Sequence, residues 1–211
     1  MVQAILEGRK TQTRRIIKAS LDDRGLRWAN PITGWEDWHG NPVKCPYGDI
    51  GDVLWVRENY QVVGWDTKEG ILTYKYADGK SITVDSELED HIQERMITKA
   101  ELKPNSWIPS IHMPKEACRL FLRITDRRVE RLQDISKADA EAEGAPSVVP
   151  LYGWANPMKL GGKRVQIGTK HVTPQEGFSV LWQNINGLDS WNNNPWVWVV
   201  CFERINKPDT V

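Results

Sequence analysis

The stretch ILEGRKTQTRR, residues 5 to 15, places Lys10 and Thr13 three positions apart among Arg9, Arg14 and Arg15. A threonine hydroxyl is a poor nucleophile until a neighbouring base takes its proton. A lysine crowded by arginines has its ammonium form disfavoured, so Lys10 is a candidate for that base. The arginines are candidates for holding a developing oxyanion or a phosphate. The same residues also read as a solvated basic turn, and the stretch alone does not choose.

The elements that must position these groups are legible around them. Val2, Ile5 and Leu6 lie at helical spacing and Gly8 follows as a natural stop, so a short helix leads into the basic run. Residues 48 to 63 predict a turn and then a strand, with Val53 to Val56 apolar throughout, as in a strand buried on both faces. Residues 71 to 84 predict a hairpin turning at Asp78-Gly79, and Leu88, Ile92 and Met96 an amphipathic helix over 86 to 100. Residues 106 to 114 are a Pro-rich, partly extended connection.

Further on, Leu120, Leu122 and Ile124 alternate with Arg119, Phe121 and Arg123, giving a half-exposed strand with a basic outer face. Ser136 with Asp139 reads as a capping box opening a helix that ends at Gly144. Thr173, Pro174 and Glu176 open the clearest helix, with Phe178, Leu181, Trp182 and Ile185 as its apolar stripe and Gly187 as its end. An aromatic-rich strand over 194 to 205 completes the core. The Gly- and Pro-punctuated stretches 20 to 48 and 145 to 172 read as long loops, where a site is expected. The class is α+β.

Composition narrows the function. The 211 residues carry 28 Lys and Arg against 28 Asp and Glu, which argues against coating long nucleic acid by bulk charge. The charge is segregated, however. Residues 9 to 18 carry a local +5, residues 119 to 131 a local +3, and residues 85 to 101 a local −4. Cys45, Cys118 and Cys201 are widely spaced, with no Cys-x-x-Cys and no Cys/His cluster at zinc spacing. They read as reduced thiols in the cytoplasm, and neither a metal nor a cofactor is expected. No stretch approaches a membrane span, and the start lacks the order of a signal peptide. No phosphate-binding glycine loop is present; Gly161-Gly162-Lys163-Arg164 is a basic turn, and no Ser/His/Asp order suggests a hydrolase triad.

Four segments together resemble the ASCH family of the PUA-like β-barrel superfamily: ILEGRKTQTRR (5 to 15), YGDIGDVLWVRENY (47 to 60), ITDRRVERLQDISKADAEAEG (124 to 144) and NPWVWVVCFERI (194 to 205). The first and third are the specific ones, a G-R-K-T-x-T-x-R element followed by L-x-D-I-x-x-x-x-A-x-x-E-G. The resemblance implies one PUA-like domain over 1 to 211, a small β-barrel with flanking helices. Long loop insertions fall at about 20–46, 62–117 and 145–172, as in larger members from phages and prophages. Members usually carry an apolar strand before the first helix, where Met1 stands here, so an unpaired barrel edge is expected.

Small ASCH enzymes of this pattern remove the acetyl group of N4-acetylcytidine with a Lys, a Thr and a Glu. Matched motif to motif, these fall on Lys10, Thr13 and Glu143, although Glu141 offers the same chemistry beside it. Glu143 is then placed to orient the exocyclic nitrogen or pass it a proton. Many members look like binders of RNA or of modified nucleosides. The expected function is therefore binding of RNA or a modified nucleoside in a basic cleft, in the cytoplasm of a bacterial host and away from membranes. The alternatives are a hydrolase, either an N4-acetylcytidine amidohydrolase or a ribonuclease, and a phage protein-interaction module.

The expected ligand contacts beyond the three are Arg9, Arg14, Arg15, Arg57, Glu58, Trp35 and Trp38, with Arg57 and Glu58 as a cleft-side or structural ion pair. Of the 11 tryptophans, Trp35, Trp38 and Trp154 in loops are the better stacking candidates, while Trp55 and Trp196 read as core. His112 reads as structural, and His39 and His171 as loop residues.

Overall fold

The computed structural model describes residues 2–18, 24–30, 34–86, 88–154 and 164–208, with 30, 151–154 and 164–167 described in backbone only. The chain is mixed α and β, mostly strand with few helices, in agreement with the α+β expectation and compatible with a small β-barrel. Two compact units share it, one from 3–51 and 124–202, the other from 52–123 and 203–211.

The first unit begins with α1 (Val2–Leu6), stopped by Gly8 at φ +73°, a conformation that costs glycine little. β1 (Gln12–Ile16) follows and pairs antiparallel with β11 (Trp196–Ile205), in a register that sets Thr13 opposite Val200 and Arg15 opposite Trp198. β11 lies between β1 and β8 (Phe121–Arg131), which leaves β1 at the edge. Being central, β11 is buried on both faces, and this is why Val197 through Val200 run apolar without alternation. One face packs Val197 and Val199 against Leu132, Ile135, Ala140, Phe178 and Trp182.

Those partners come largely from two helices. α3 (Lys137–Ala142) opens at Ser136, whose hydroxyl accepts the Asp139 amide. The reciprocal half of a capping box is replaced by the Ser136 hydroxyl donating to the Asp139 carboxylate at 2.8 Å. α4 (Pro174–Asn186) carries the full capping box of Thr173 and Glu176, with Pro174 at its start. Its Phe178 and Trp182 are buried as the stripe predicts, but Ile185 is 60% exposed.

The two stretches expected as long loops instead contain hairpins. β2 (Arg27–Asn30) pairs with β3 (Gly34–Glu36), and β9 (Val148–Trp154) pairs with β10 (Arg164–His171). The glycines and prolines mark strand ends and irregularities here, as at Gly34 (φ +71°) opening β3, and the tryptophans and valines between them supply the strands. The expected basic turn at Gly161 to Lys163 lies outside the described residues.

In the second unit β4 (Val53–Trp55) pairs with the first three residues of β8. It is half-buried at all three positions rather than covered on both faces, and it forms the edge of its sheet beside β8. β5 (Tyr60–Asp66), β6 (Ile71–Tyr76) and β7 (Ser81–Asp85) form a meander that turns at Asp78-Gly79 as predicted, and α2 (Asp90–Leu102) follows. Their core gathers Tyr60, Leu72, Tyr74, Tyr76, Ile97 and Phe121. Phe121 therefore breaks the expected basic outer face of its strand: it is 2% exposed.

Candidate active site at Lys10 and Glu143

The short helix α1 and the end of α3 hold Lys10 from two sides. The Lys10 amide donates to the Ala4 carbonyl at 3.0 Å, and the Thr11 amide to the Ala142 carbonyl at 2.8 Å. Lys10 and Glu143 face each other across an isolated antiparallel bridge. Gly144 permits this approach. It sits at φ +72°, and a Cβ there would lie 3.3 Å from the Lys10 Cβ and 3.4 Å from the Ala4 Cβ.

The side chains complete what the backbone begins. Lys10 Nζ donates to Glu143 Oε2 at 2.6 Å and to the Glu143 carbonyl at 3.0 Å. Lys10 is 5% and Glu143 4% exposed, so the pair is effectively out of water. Burial pulls the Lys10 pKa below its usual value. The Glu143 carboxylate opposes that shift, and Arg15 and Arg14 add to it. The direction matches the sequence expectation, but desolvation dominates and the arginines are secondary.

Arg14 extends the pair into a network. Its guanidinium donates to Glu130 Oε2 at 2.9 Å and lies 3.5 Å from Asp139 Oδ2 and 3.6 Å from Glu143 Oε1. Arg128 clamps the same two acids from the far side, bonding Glu130 and, at 2.7 Å, Asp139. Burial alone would raise the Asp139 carboxyl. The Ser136 hydroxyl, Arg128 and Arg14 outweigh it and hold the pKa below the usual range. Lys10 and Arg14 are buried and ion-paired, while Arg128, Glu130 and Asp139 are half-buried, with Asp126 3.6 Å from Arg128 as a further acid.

Beside it lies a cavity of about 370 Å³. Lys10, Thr13 and Glu143 all line it, so the three candidates border the same cavity. Arg14 and Arg15 of β1 line it too, and α4 supplies the apolar wall with Phe178, Leu181, Trp182 and Ile185. This volume falls in the range of small-molecule sites.

The remaining candidates go elsewhere. Arg9 is exposed and donates to Glu7 at 2.7 Å, outside the cavity lining. Arg57 and Glu58 do not pair with each other, because successive residues of an extended chain point to opposite sides. Exposed Arg57 lies over the Trp55 ring at 4.6 Å, while buried Glu58 accepts two bonds from Arg119 at 2.9 and 2.7 Å. Both belong to the second unit. Trp35 sits in β3, edge-on to Trp28 and Trp198 at 5.6 and 5.7 Å between centroids. Trp38 is exposed, with Arg24 and Arg27 each 5.3 Å from its ring. Trp55 and Trp196 are half-buried, Trp55 packed against the second unit's core and Trp196 capped by Arg131 at 4.4 Å. The side chain of Trp154 lies outside the described residues.

Sequence reasoning missed Glu130 and Asp139 as partners of Arg14, and Arg128 as the second cation on those acids. A signal was present: Arg128 and Glu130 are two apart on one strand, hence on one face, as are Gln12 and Arg14 on β1. Among the described residues no group of three or more His, Cys, Asp or Glu is placed to hold a metal ion, and no helix is long and apolar enough to cross a membrane. No family model, curated protein or solved structure matches this chain.

Proposed function

We propose that this chain is an ASCH-type, PUA-like domain that takes the base of a modified nucleoside, free or within RNA, into the cavity between β1 and α4. One observation carries the proposal: Lys10 and Glu143 meet at 2.6 Å on the wall of a 370 Å³ cavity that Thr13 also lines. The apolar side, with Phe178, Trp182 and Leu181, suits the faces of a heterocycle, and the polar side offers a donor and an acceptor to its edge. The zero net charge suits a single nucleoside site better than a long nucleic-acid track. Calorimetric titration with cytidine and N4-acetylcytidine tests it. Saturable one-site binding is expected, and no binding of either overturns it.

A second reading, hydrolysis of an N4-acylated cytidine, is favoured by the hydrogen bond that Lys10 Nζ donates to Glu143 Oε2 at 2.6 Å. Passing the bonded proton from Lys10 Nζ to Glu143 leaves an amine and a carboxylic acid side by side. The amine takes the Thr13 hydroxyl proton as Thr13 Oγ1 attacks the acyl carbon, and the acid protonates N4 as the C–N bond breaks. These two transfers restore the lysine–carboxylate pair, and water then cleaves the acyl-threonine to the free acid and the Thr13 hydroxyl. Chromatography of cytidine released from N4-acetylcytidine checks this, with Lys10→Ala abolishing release. Absence of turnover in the wild type removes the hydrolase reading and leaves the binding one standing.

A further inference from the structure

The basic run 9 to 18 spends its charge unevenly. Arg9 is matched to Glu7, Lys10 to Glu143, and Arg14 to Glu130 and Asp139. Arg15 and Lys18 both line the cavity, and among the described residues neither is matched to a carboxylate. They also differ in depth from the inner pair: Arg15 is half-buried and Lys18 exposed, whereas Lys10 and Glu143 are nearly sealed. The cavity therefore has an ion-paired polar floor, an apolar wall on α4 and, among the described residues, two cations without a carboxylate partner at its more exposed positions.

A neutral heterocycle suits the floor and wall. The two cations on the more exposed side, unmatched among the described residues, call for an anion. We propose that Arg15 and Lys18 form a phosphate subsite, so that the ligand is a nucleoside carrying a phosphate, in a nucleotide or in an RNA strand. An arginine fork presents paired N–H donors to phosphate oxygens, and a lysine adds a mobile point charge. Because Lys10 and Arg14 are neutralised internally, the phosphate has no reason to enter the floor, and the charge pattern orients the ligand base-first. This rests on the nucleoside reading of the cavity and names the substrate class for that site.

The test is calorimetric titration of N4-acetylcytidine, its 5′-monophosphate and a short single-stranded RNA bearing the same base, at two salt concentrations. Each is run on the wild type and on the double variant Arg15→Gln, Lys18→Gln. The wild type is expected to prefer a phosphate-bearing ligand by about tenfold or more at low salt. That preference should shrink with added salt and vanish in the double variant. A gain for the monophosphate identifies a nucleotide site; a gain for the RNA alone identifies a strand site. Equal affinity for all three ligands, or a preference that survives the double variant, overturns the phosphate subsite and leaves the nucleoside cavity intact. Failure of every ligand to bind overturns both.

Discussion

Lys10 and Glu143 are 133 residues apart in the chain, and their side chains meet at 2.6 Å with almost no exposure. The contact ties the entry to β1 to the end of α3, and Gly144 is what lets the two backbones close on each other. Each partner also depends on a neighbour. Glu143 Oε1 lies 3.6 Å from Arg14, and Lys10 Nζ bonds the Glu143 carbonyl as well as its carboxylate.

Glu143→Gln leaves a buried ammonium without its counter-charge, and removing one partner of a buried pair costs about 3 kcal/mol or more. Lys10→Met with Glu143→Leu removes both charges and fills the space with apolar atoms, so the double variant is expected to be more stable than Glu143→Gln alone. Urea unfolding of the three proteins checks the order. A double variant less stable than the single one contradicts it.

The depressed pKa of Lys10 has a definite consequence for stability. The unfolded lysine titrates near 10.5 and the folded one lower, so between those values the unfolded chain binds more protons. Wild-type stability relative to Lys10→Met is therefore expected to rise with pH through the window below 10.5 and to level off above it. Paired denaturation curves across that window read the slope. A falling difference would mean that the Glu143 attraction outweighs burial.

α4 forms the apolar wall of the cavity and rests on two local features of different strength. Thr173→Ala removes the cap hydroxyl that accepts the Glu176 amide and is expected to cost about 1 kcal/mol. Gly177→Ala drives a methyl group into the Pro146 carbonyl oxygen, a backbone atom that cannot rotate away. Overpacking of this kind costs about 1–3 kcal/mol, so Gly177→Ala is expected to lower Tm by more than Thr173→Ala. The reverse order would show that the helix shifts freely on its base.

Local signals carried much of the fold. The stop at Gly8, the caps at Ser136 and Thr173, the Asp78-Gly79 turn and the apolar run of β11 are short-range devices that leave their residues in order along the chain. The hairpins β2–β3 and β9–β10 were hidden because irregular, Gly- and Pro-broken strands weaken the alternation that marks a strand. Lys10, Thr13 and Glu143 were nominated by motif, but the arginine–carboxylate network behind them was not. Arg14, Glu130 and Asp139 are partners only once β1 and β8 lie on either side of β11, a relationship set by the sheet. Arg57 and Glu58 mislead for the same reason: adjacency along an extended chain turns two side chains apart.

The central claim is that the cavity between β1 and α4 holds a nucleoside base. The most direct measurement is calorimetric titration of N4-acetylcytidine into the wild type and into Leu181→Trp, which places an indole in the cavity from the α4 wall. The account predicts one saturable site in the wild type and its loss in Leu181→Trp, with Tm of the variant unchanged. Absence of saturable binding in the wild type, or binding that Leu181→Trp leaves intact, contradicts it.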